Sequence, residues 1–275
     1  MKIQYASDLH LELSRNSRWL KNNPLNVTGN ILVLAGDIDY LGTDCTNNPF
    51  WSWCADNYEQ TLIVPGNHEY YGGFDLKDTL LEWHFELRGN VRYLNNTVVK
   101  IGRICIVLST LWSNVRAENA LVIENGITDF HRIRYGENGL DFTMFNEAHR
   151  CSLDFIRNAV SLHANDNIIV VSHHLPSQIL VSDRFKGSKL NDAFSSVQGQ
   201  WIADSKISHW IYGHSHTNIS GKIGNTDFLS NQLGYVYDVP EAVDFNNGVY
   251  INNTSAKIYR TKKLNNGSRV TGSAI

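Results

Sequence analysis

The sequence predicts a mixed α/β fold, on the strength of three observations. Short apolar runs rich in β-branched residues indicate buried strands, and five of them are followed by a small residue and a polar side chain. The first three of these polar side chains lie about 30 positions apart, the length of a strand-helix-strand unit. Other segments carry apolar residues at helical spacing. Strands that alternate with helices favour parallel pairing in a sheet.

The polar side chains that follow the five runs are all able to bind a metal ion. Ligand sites in α/β sheets gather outside the carboxyl ends of the strands, so we expect these side chains to converge. They are Asp8, Asp37, Asn67, His173 and His214.

Three segments between the runs have helical patterns. Pro49 suits the first turn of a helix, and a longer helix is indicated between Ala148 and Leu162. The apolar residues from Leu76 to Leu87 fall on one helical face, with Asp75 as the N-cap, and predict a third helix.

Two further segments indicate strands. The run from Val98 to Val107 is predicted to form a hairpin that turns near Gly102. A short strand is predicted from Val249 to Asn252.

Composition is that of an ordinary globular protein. The 275 residues include 42% hydrophobic and 19% charged residues, and we expect one domain over residues 1–275. Residues 262–275 lack apolar periodicity and are expected to form a loose tail. The net charge of -3 gives no overall attraction for nucleic acid, so polyanion binding would need a local patch or bound cations.

The N-terminal segment has no basic and apolar signal-peptide pattern, and no apolar run approaches the ~20 residues of a membrane-spanning helix. A cytoplasmic protein without membrane contact is therefore expected. The four cysteines form no Cys-x-x-Cys pair and are expected to be reduced structural thiols.

Five short motifs in fixed order resemble those of the calcineurin-like metallophosphoesterases. They are Asp8-Leu-His10, Gly36-Asp37, Gly66-Asn67-His68-Glu69, Ser172-His173 and Gly213-His214-Ser215-His216. A single motif of this kind occurs by chance, but the ordered set is specific and spans most of the chain. The resemblance implies a four-layer αββα sandwich, in which two mixed β-sheets are stacked face to face and flanked by helices.

The resemblance also implies a dinuclear metal centre. One metal ion would be held by Asp8, His10 and His216, the other by Asn67, His173 and His214, with Asp37 bridging both. Manganese is the first expectation, with iron, zinc or cobalt as alternatives for such a shell.

The implied mechanism is attack on phosphorus by a hydroxide that two cations about 3.5–4 Å apart activate. Asp37 and His68 are the candidate catalytic residues, and His68 would donate a proton to the leaving group or bind the phosphate oxygens. Glu69 either orients the His68 ring or is a solvated loop carboxylate. Asp39 is an alternative to Asp37, although Gly36 favours Asp37.

Three further residues are candidate substrate contacts. His174 follows the expected ligand His173, and it either faces the substrate or packs beneath Pro176; which of the two histidines binds metal stays open. Arg132 and Arg134 lie in the segment from Asp129 to Arg134, where guanidinium groups are able to hold a phosphate.

The expected function is hydrolysis of a small-molecule phosphodiester. The motifs contain no arginine, and monoesterases usually meet the second negative charge of a monoester with arginines. A phosphomonoesterase, a protein phosphatase and a nuclease are the alternatives. A non-catalytic scaffold is disfavoured because every ligand position and His68 are present. The expected partner is a phosphorylated small molecule, whereas nucleic acid is not favoured, and the sequence leaves the oligomeric state open.

Overall fold

Two β-sheets form the centre of the molecule. The computed structural model describes residues 1–42, 44–237, 244–252 and 257–259, and the structural statements below concern these residues. The segment 262–275, expected to be a loose tail, lies outside them.

The first sheet has seven strands in the order β15-β14-β1-β2-β3-β5-β4. Strands β1, β2, β3 and β5 run parallel, while β14 and β4 are antiparallel to their neighbours at either side. The strands are β1 (Lys2–Ala6), β2 (Ile31–Ala35), β3 (Gln60–Val64), β4 (Trp83–Arg88), β5 (Val91–Asn95), β14 (Tyr250–Asn252) and β15 (Lys257–Tyr259).

The second sheet has six strands in the order β12-β13-β11-β10-β7-β6, with β7, β10, β11 and β13 parallel. These strands are β6 (Thr97–Ile101), β7 (Ile104–Leu108), β10 (Asn167–Val171), β11 (Ile207–Ile211), β12 (Gly221–Ile223) and β13 (Thr226–Leu229). A separate two-stranded ribbon is formed by β8 (Arg134–Tyr135) and β9 (Asn138–Gly139).

The two sheets pack face to face through one apolar layer. Because successive side chains of a strand point to opposite faces, Ile31 and Val33 of β2 enter this layer and Leu32 points the other way. From the second sheet, Ile106 of β7 and Ile169 of β10 enter the same layer. Burial on both faces explains why these strands are continuously apolar in sequence.

Helices cover the two outer faces. Leu20 and Trp51 pack on the first sheet, and Ile156 and Ile202 pack on the second. The helices are α1 (Ser14–Asn22), α2 (Pro49–Asn57), α3 (Ala120–Gly126), α4 (Asp129–Arg132), α5 (Phe142–Leu162) and α6 (Gly199–Asp204). The resulting order of helix, sheet, sheet and helix confirms the four-layer αββα sandwich.

Most predicted elements are confirmed, including α2 starting at Pro49, the long helix α5, the β6–β7 hairpin around Gly102 and the strand β14. The helix predicted from Leu76 to Leu87 is wrong. Asp75 does cap a turn, but that 3₁₀ turn ends at Thr79 and β4 begins at Trp83.

Tertiary packing explains why this segment is a strand. In β4, Trp83, Phe85 and Leu87 alternate toward the outer apolar cluster of the first sheet, and the backbone pairs with β5. Trp83 and Leu87 fit the helical spacing from Leu76, but together with Phe85 they also fit the period of two of a strand. None of the helices in the described ranges combines the length and the apolar character needed to cross a bilayer.

Candidate metal centre

The sheet topology brings the five predicted side chains to one edge of the sandwich. Asp8, Asp37 and Asn67 follow β1, β2 and β3, which are adjacent and parallel in the first sheet. His173 and His214 follow β10 and β11, which are adjacent and parallel in the second. The carboxyl ends of both sets meet, so residues more than 200 positions apart in sequence face one another.

The backbone at the centre is strained. Eight non-glycine residues in the described part have a positive φ, a region that is costly for residues with a Cβ by about 1–3 kcal/mol each. Five of the eight belong to the candidate ligand set: Asp8 (54°), His10 (48°), Asp37 (55°), His214 (74°) and His216 (48°). The turns after β1, β2 and β11 thus direct these side chains inward, and the surrounding packing must offset the cost.

Glycines make room for the ligands. Gly36 has φ +86°, and a Cβ there would collide with the ring of His173. A Cβ on Gly66 would collide with the Asp37 carboxylate. Both glycines therefore allow Asp37 and His173 to approach across the two sheets.

One cluster contains Asp8, His10, Asp37 and His216, whose potential ligand atoms lie within 4.8 Å of one another. His10 Nε2 lies 3.1 Å from His216 Nε2 and 3.8 Å from Asp37 Oδ2, and His216 Nε2 lies 3.4 Å from Asp8 Oδ1. Asp8 is further fixed because it accepts a hydrogen bond from the His214 backbone N–H.

A second cluster contains Asp37, His173 and His214, again with potential ligand atoms within 4.8 Å. Asn67 joins it, since its Oδ1 lies 3.0 Å from His173 Nε2. His173 Nε2 is also 3.3 Å from Asp37 Oδ1. Asp37 is thus common to both clusters.

The donor set fits bound cations. The His173 Nδ1–H donates to the Ala35 carbonyl, and Nε2 faces the oxygens of Asn67 and Asp37. His10 is arranged similarly, because Nδ1 faces Glu12 and Nε2 faces His216. Burial would lower the pKa of His173, but Asp37 outweighs it and raises that pKa to about 10, so a cation bound at Nε2 would displace the Nε2 proton. Imidazole nitrogens, an amide oxygen and carboxylates that converge in a buried space form a donor set suited to bound cations.

The buried charges shift the titration of this centre. Burial alone would raise the pKa of Asp37, but His173 and the other nearby histidines outweigh it and hold that pKa well below its usual value. Burial and the neighbouring His173 lower the pKa of His214 to about 3. Its Nε2 finds no hydrogen-bond partner among the described residues.

His68 lies beside the clusters and belongs to neither of them. Its Nε2 is 4.0 Å from Asp37 Oδ2 and 3.2 Å from the Tyr235 hydroxyl. Its Nδ1 is 2.9 Å from Glu12 Oε1, and its ring packs on Tyr71. Burial would lower the pKa of His68, but Asp37 and Glu12 outweigh it and raise the pKa to about 9.

Glu69 does not orient His68. Both of its oxygens are buried and accept backbone hydrogen bonds, from Asp37 and Gly66 on one oxygen and from Ile38 on the other. It is therefore neither a partner of His68 nor a solvated loop carboxylate. It ties the ends of β2 and β3 together beneath Asp37.

The partner of His68 is Glu12, which the sequence analysis missed. A single oxygen of Glu12 lies 2.9 Å from Nδ1 of both His10 and His68. The sequence does contain a signal for Glu12, because the polar residues Asp8, His10 and Glu12 alternate with Leu9 and Leu11. Both leucines are buried in the outer core.

A cleft of about 1240 Å³ opens onto the centre. Among the predicted substrate residues, Arg132 lines it and donates to the Tyr71 carbonyl at 3.1 Å. Arg134 is exposed in β8 and does not line the cleft. Arg184 does line it and was not predicted. The aromatic walls include Tyr235, Tyr237, Phe185 and Phe194.

His174 does not face the cleft, which corrects its assignment as a substrate contact. The side chain is fully buried, and its ring packs against Trp112, Phe145 and His214. Asp39 lies outside both clusters, because it accepts hydrogen bonds from the Tyr40 backbone and the Asn48 side chain.

Comparisons with known proteins identify the family and the fold. The profile of the family described as calcineurin-like phosphoesterase matches residues 1–218. The uncharacterized protein L509 of Acanthamoeba polyphaga mimivirus is 29% identical over 280 residues, covering 90% of this chain and 95% of its own length. The crystal structure of phosphopantetheinyl hydrolase (PptH) from Mycobacterium tuberculosis has a TM-score of 0.63 at 15% identity, over 86% of this chain and 90% of that chain. At 15% identity, the similarity between the two structures shows a shared fold and nothing more.

Proposed function

The chain belongs to the calcineurin-like phosphoesterase family, which supports metal-dependent hydrolysis of phosphoesters, and we propose that its substrate is a small-molecule phosphodiester cleaved at a dinuclear centre. The observation that carries the proposal is the pair of acceptor-lined clusters that share Asp37 at the end of the cleft.

In this proposal Asp8, His10 and His216 hold one cation, Asn67, His173 and His214 hold the other, and Asp37 contacts both. Two bound divalent cations would lower the pKa of a shared water and polarise the phosphoryl oxygens. Manganese is proposed first, and iron, zinc or cobalt would suit the same mixed oxygen and nitrogen ligands.

Residues of the chain itself would supply the proton that the leaving group needs. Glu12 accepts from Nδ1 of His68 and so directs Nε2 toward the cleft, where Tyr235 lies 3.2 Å away. His68 is within reach of the cluster without belonging to it, which suits a donor of a proton to the leaving alkoxide.

Charge supports a diester over a monoester. A diester carries one negative charge fewer than a fully ionised monoester. The buried carboxylate of Glu12 reduces the positive charge that the cations would offer, because His10 and His68 outweigh the effect of burial and hold its pKa below its usual value. Of the two arginines that line the cleft, Arg132 donates a hydrogen bond to the Tyr71 carbonyl.

Two activated substrates test the proposal at equal metal loading. We expect bis(4-nitrophenyl) phosphate to be hydrolysed at least as fast as 4-nitrophenyl phosphate. Arg132→Ala should leave this preference intact, and Arg134→Ala is the matched control because Arg134 is exposed outside the cleft. A clear preference for the monoester that Arg132→Ala abolishes would indicate a monoesterase, and faster cleavage of oligonucleotides than of either ester would indicate a nuclease.

A further inference from the structure

The segment from Asp129 to Arg134 contains a buried carboxylate that touches the metal centre. Asp129 begins α4 and is 2% exposed. Its Oδ1 accepts a hydrogen bond from Asn67 Nδ2 at 2.9 Å and a short hydrogen bond from the Tyr71 hydroxyl. The sequence analysis considered the arginines of this segment and left Asp129 without a role.

The contact determines which way the Asn67 amide points. An amide has a donating NH₂ edge and an accepting oxygen edge, and a carboxylate only accepts. Asp129 therefore attracts the NH₂ edge of Asn67, and the oxygen is left on the opposite side, 3.0 Å from His173 Nε2. The reversed amide would place two acceptors against each other in a buried space.

A metal ion distinguishes sharply between these two edges. The amide oxygen of asparagine has lone pairs to share, whereas its NH₂ group has none available. Asn67 is a useful ligand in only one of its two orientations. Nothing in the Asn67 side chain itself selects that orientation.

We propose that Asp129 is a positioning residue, which holds the Asn67 amide with its oxygen toward the cation site shared with His173 and His214. This rests on the proposed metal-dependent function. Tyr71 belongs to the same arrangement, since its hydroxyl donates to Asp129 and accepts from the NH₂ group of Asn67.

A double-mutant cycle tests the orientation directly. Asp129→Ala removes the acceptor and should weaken metal binding at one of two sites by about 10- to 100-fold, the usual effect of losing a hydrogen bond behind a ligand. Asn67→Asp supplies a side chain with oxygen on both edges, so orientation no longer matters. In the Asn67→Asp background, Asp129→Ala should cause no loss, and it should relieve the repulsion between two neighbouring carboxylates.

The measurement is titration of the metal-free protein with Mn²⁺, followed by calorimetry and by elemental analysis of the bound metal. Urea unfolding of each variant reports whether it folds, and if Asp129→Ala does not, Asp129→Leu, which preserves more of the packing, carries the same cycle. An equal loss in both backgrounds, or no loss in either, would overturn the positioning role. Failure of the unaltered protein to bind any metal would instead refute the proposed function.

Discussion

Replacing His68 by alanine is the sharpest test of how the centre works. The backbone N–H of residue 68 donates to Asp37 Oδ1 at 2.9 Å, and alanine keeps that bond. The side chain itself belongs to neither ligand cluster. Metal content should therefore stay at the level of the unaltered protein while turnover falls.

The expected size of the loss follows from the surroundings of His68. General acid catalysis typically contributes ~10²- to 10⁴-fold. The side chain is 14% exposed, so water can enter the space that it leaves. The Tyr235 hydroxyl also remains nearby as a substitute donor. For a substrate with a basic leaving group we thus expect turnover to fall by ~10²- to 10³-fold, the lower half of the range, or about 2.7–4.1 kcal/mol in activation free energy.

The assay compares aryl phosphodiesters whose leaving phenols differ in pKa. Activated nitrophenolates need no proton, so the loss caused by His68→Ala should be under about tenfold for them and should grow with the basicity of the leaving group. His84→Ala is the matched control, because His84 is an exposed histidine of β4 outside the cleft. A loss of equal size across the whole series would refute proton donation by His68.

Three further outcomes are expected. Asp37→Ala should lower metal content at both sites, and elemental analysis that still finds two ions per chain would contradict the bridging role. Glu12→Ala should reduce kcat by about 10- to 100-fold with KM little changed. Glu12→Gln keeps an acceptor oxygen for His68 and should recover part of the loss. Equal rates for the two variants would count against positioning of His68 by Glu12. Burial raises the pKa of Asp192, but Arg116 and neighbouring donors outweigh it and lower that pKa. The ionised Asp192 should therefore stabilise the fold above the unfolded-state pKa of about 3.9. This stabilisation should be lost as the pH falls through the lower pKa of Asp192 in the folded protein. Urea unfolding of Asp192→Asn at several pH values checks this, and a destabilisation that persists unchanged in acid would exclude the ion pair as its cause.

Prediction from sequence worked best where the signal is local. A strand buried on both faces must be apolar throughout, so a polar residue such as Asp37 directly after β2 indicates the strand end. Parallel pairing then places such ends together. The helix α5 was predictable for a similar reason, since its buried positions recur over about four turns.

The hydrogen bonds that Glu69 and Asp129 make around the ligand residues could not be predicted from local sequence patterns. Glu69 was expected to orient His68 or to lie in solvent, and its actual bonds to three backbone N–H groups depend on the adjacency of β2 and β3. Asp129 reaches Asn67 from 62 positions away in sequence. No local pattern specifies such a distance, because it results from how α4 packs against the loop after β3.

The sequence alone therefore determined the α/β class, the strand ends that carry polar side chains and the family resemblance, because these depend on local apolar periods and on the order of short motifs. The tertiary structure alone decided that Trp83–Arg88 is a strand, that His174 is buried, and that Glu12 and Asp129 hold His68 and Asn67. The physical reason is that a side chain's hydrogen-bond partner is set by packing between distant elements, and packing is a property of the whole chain.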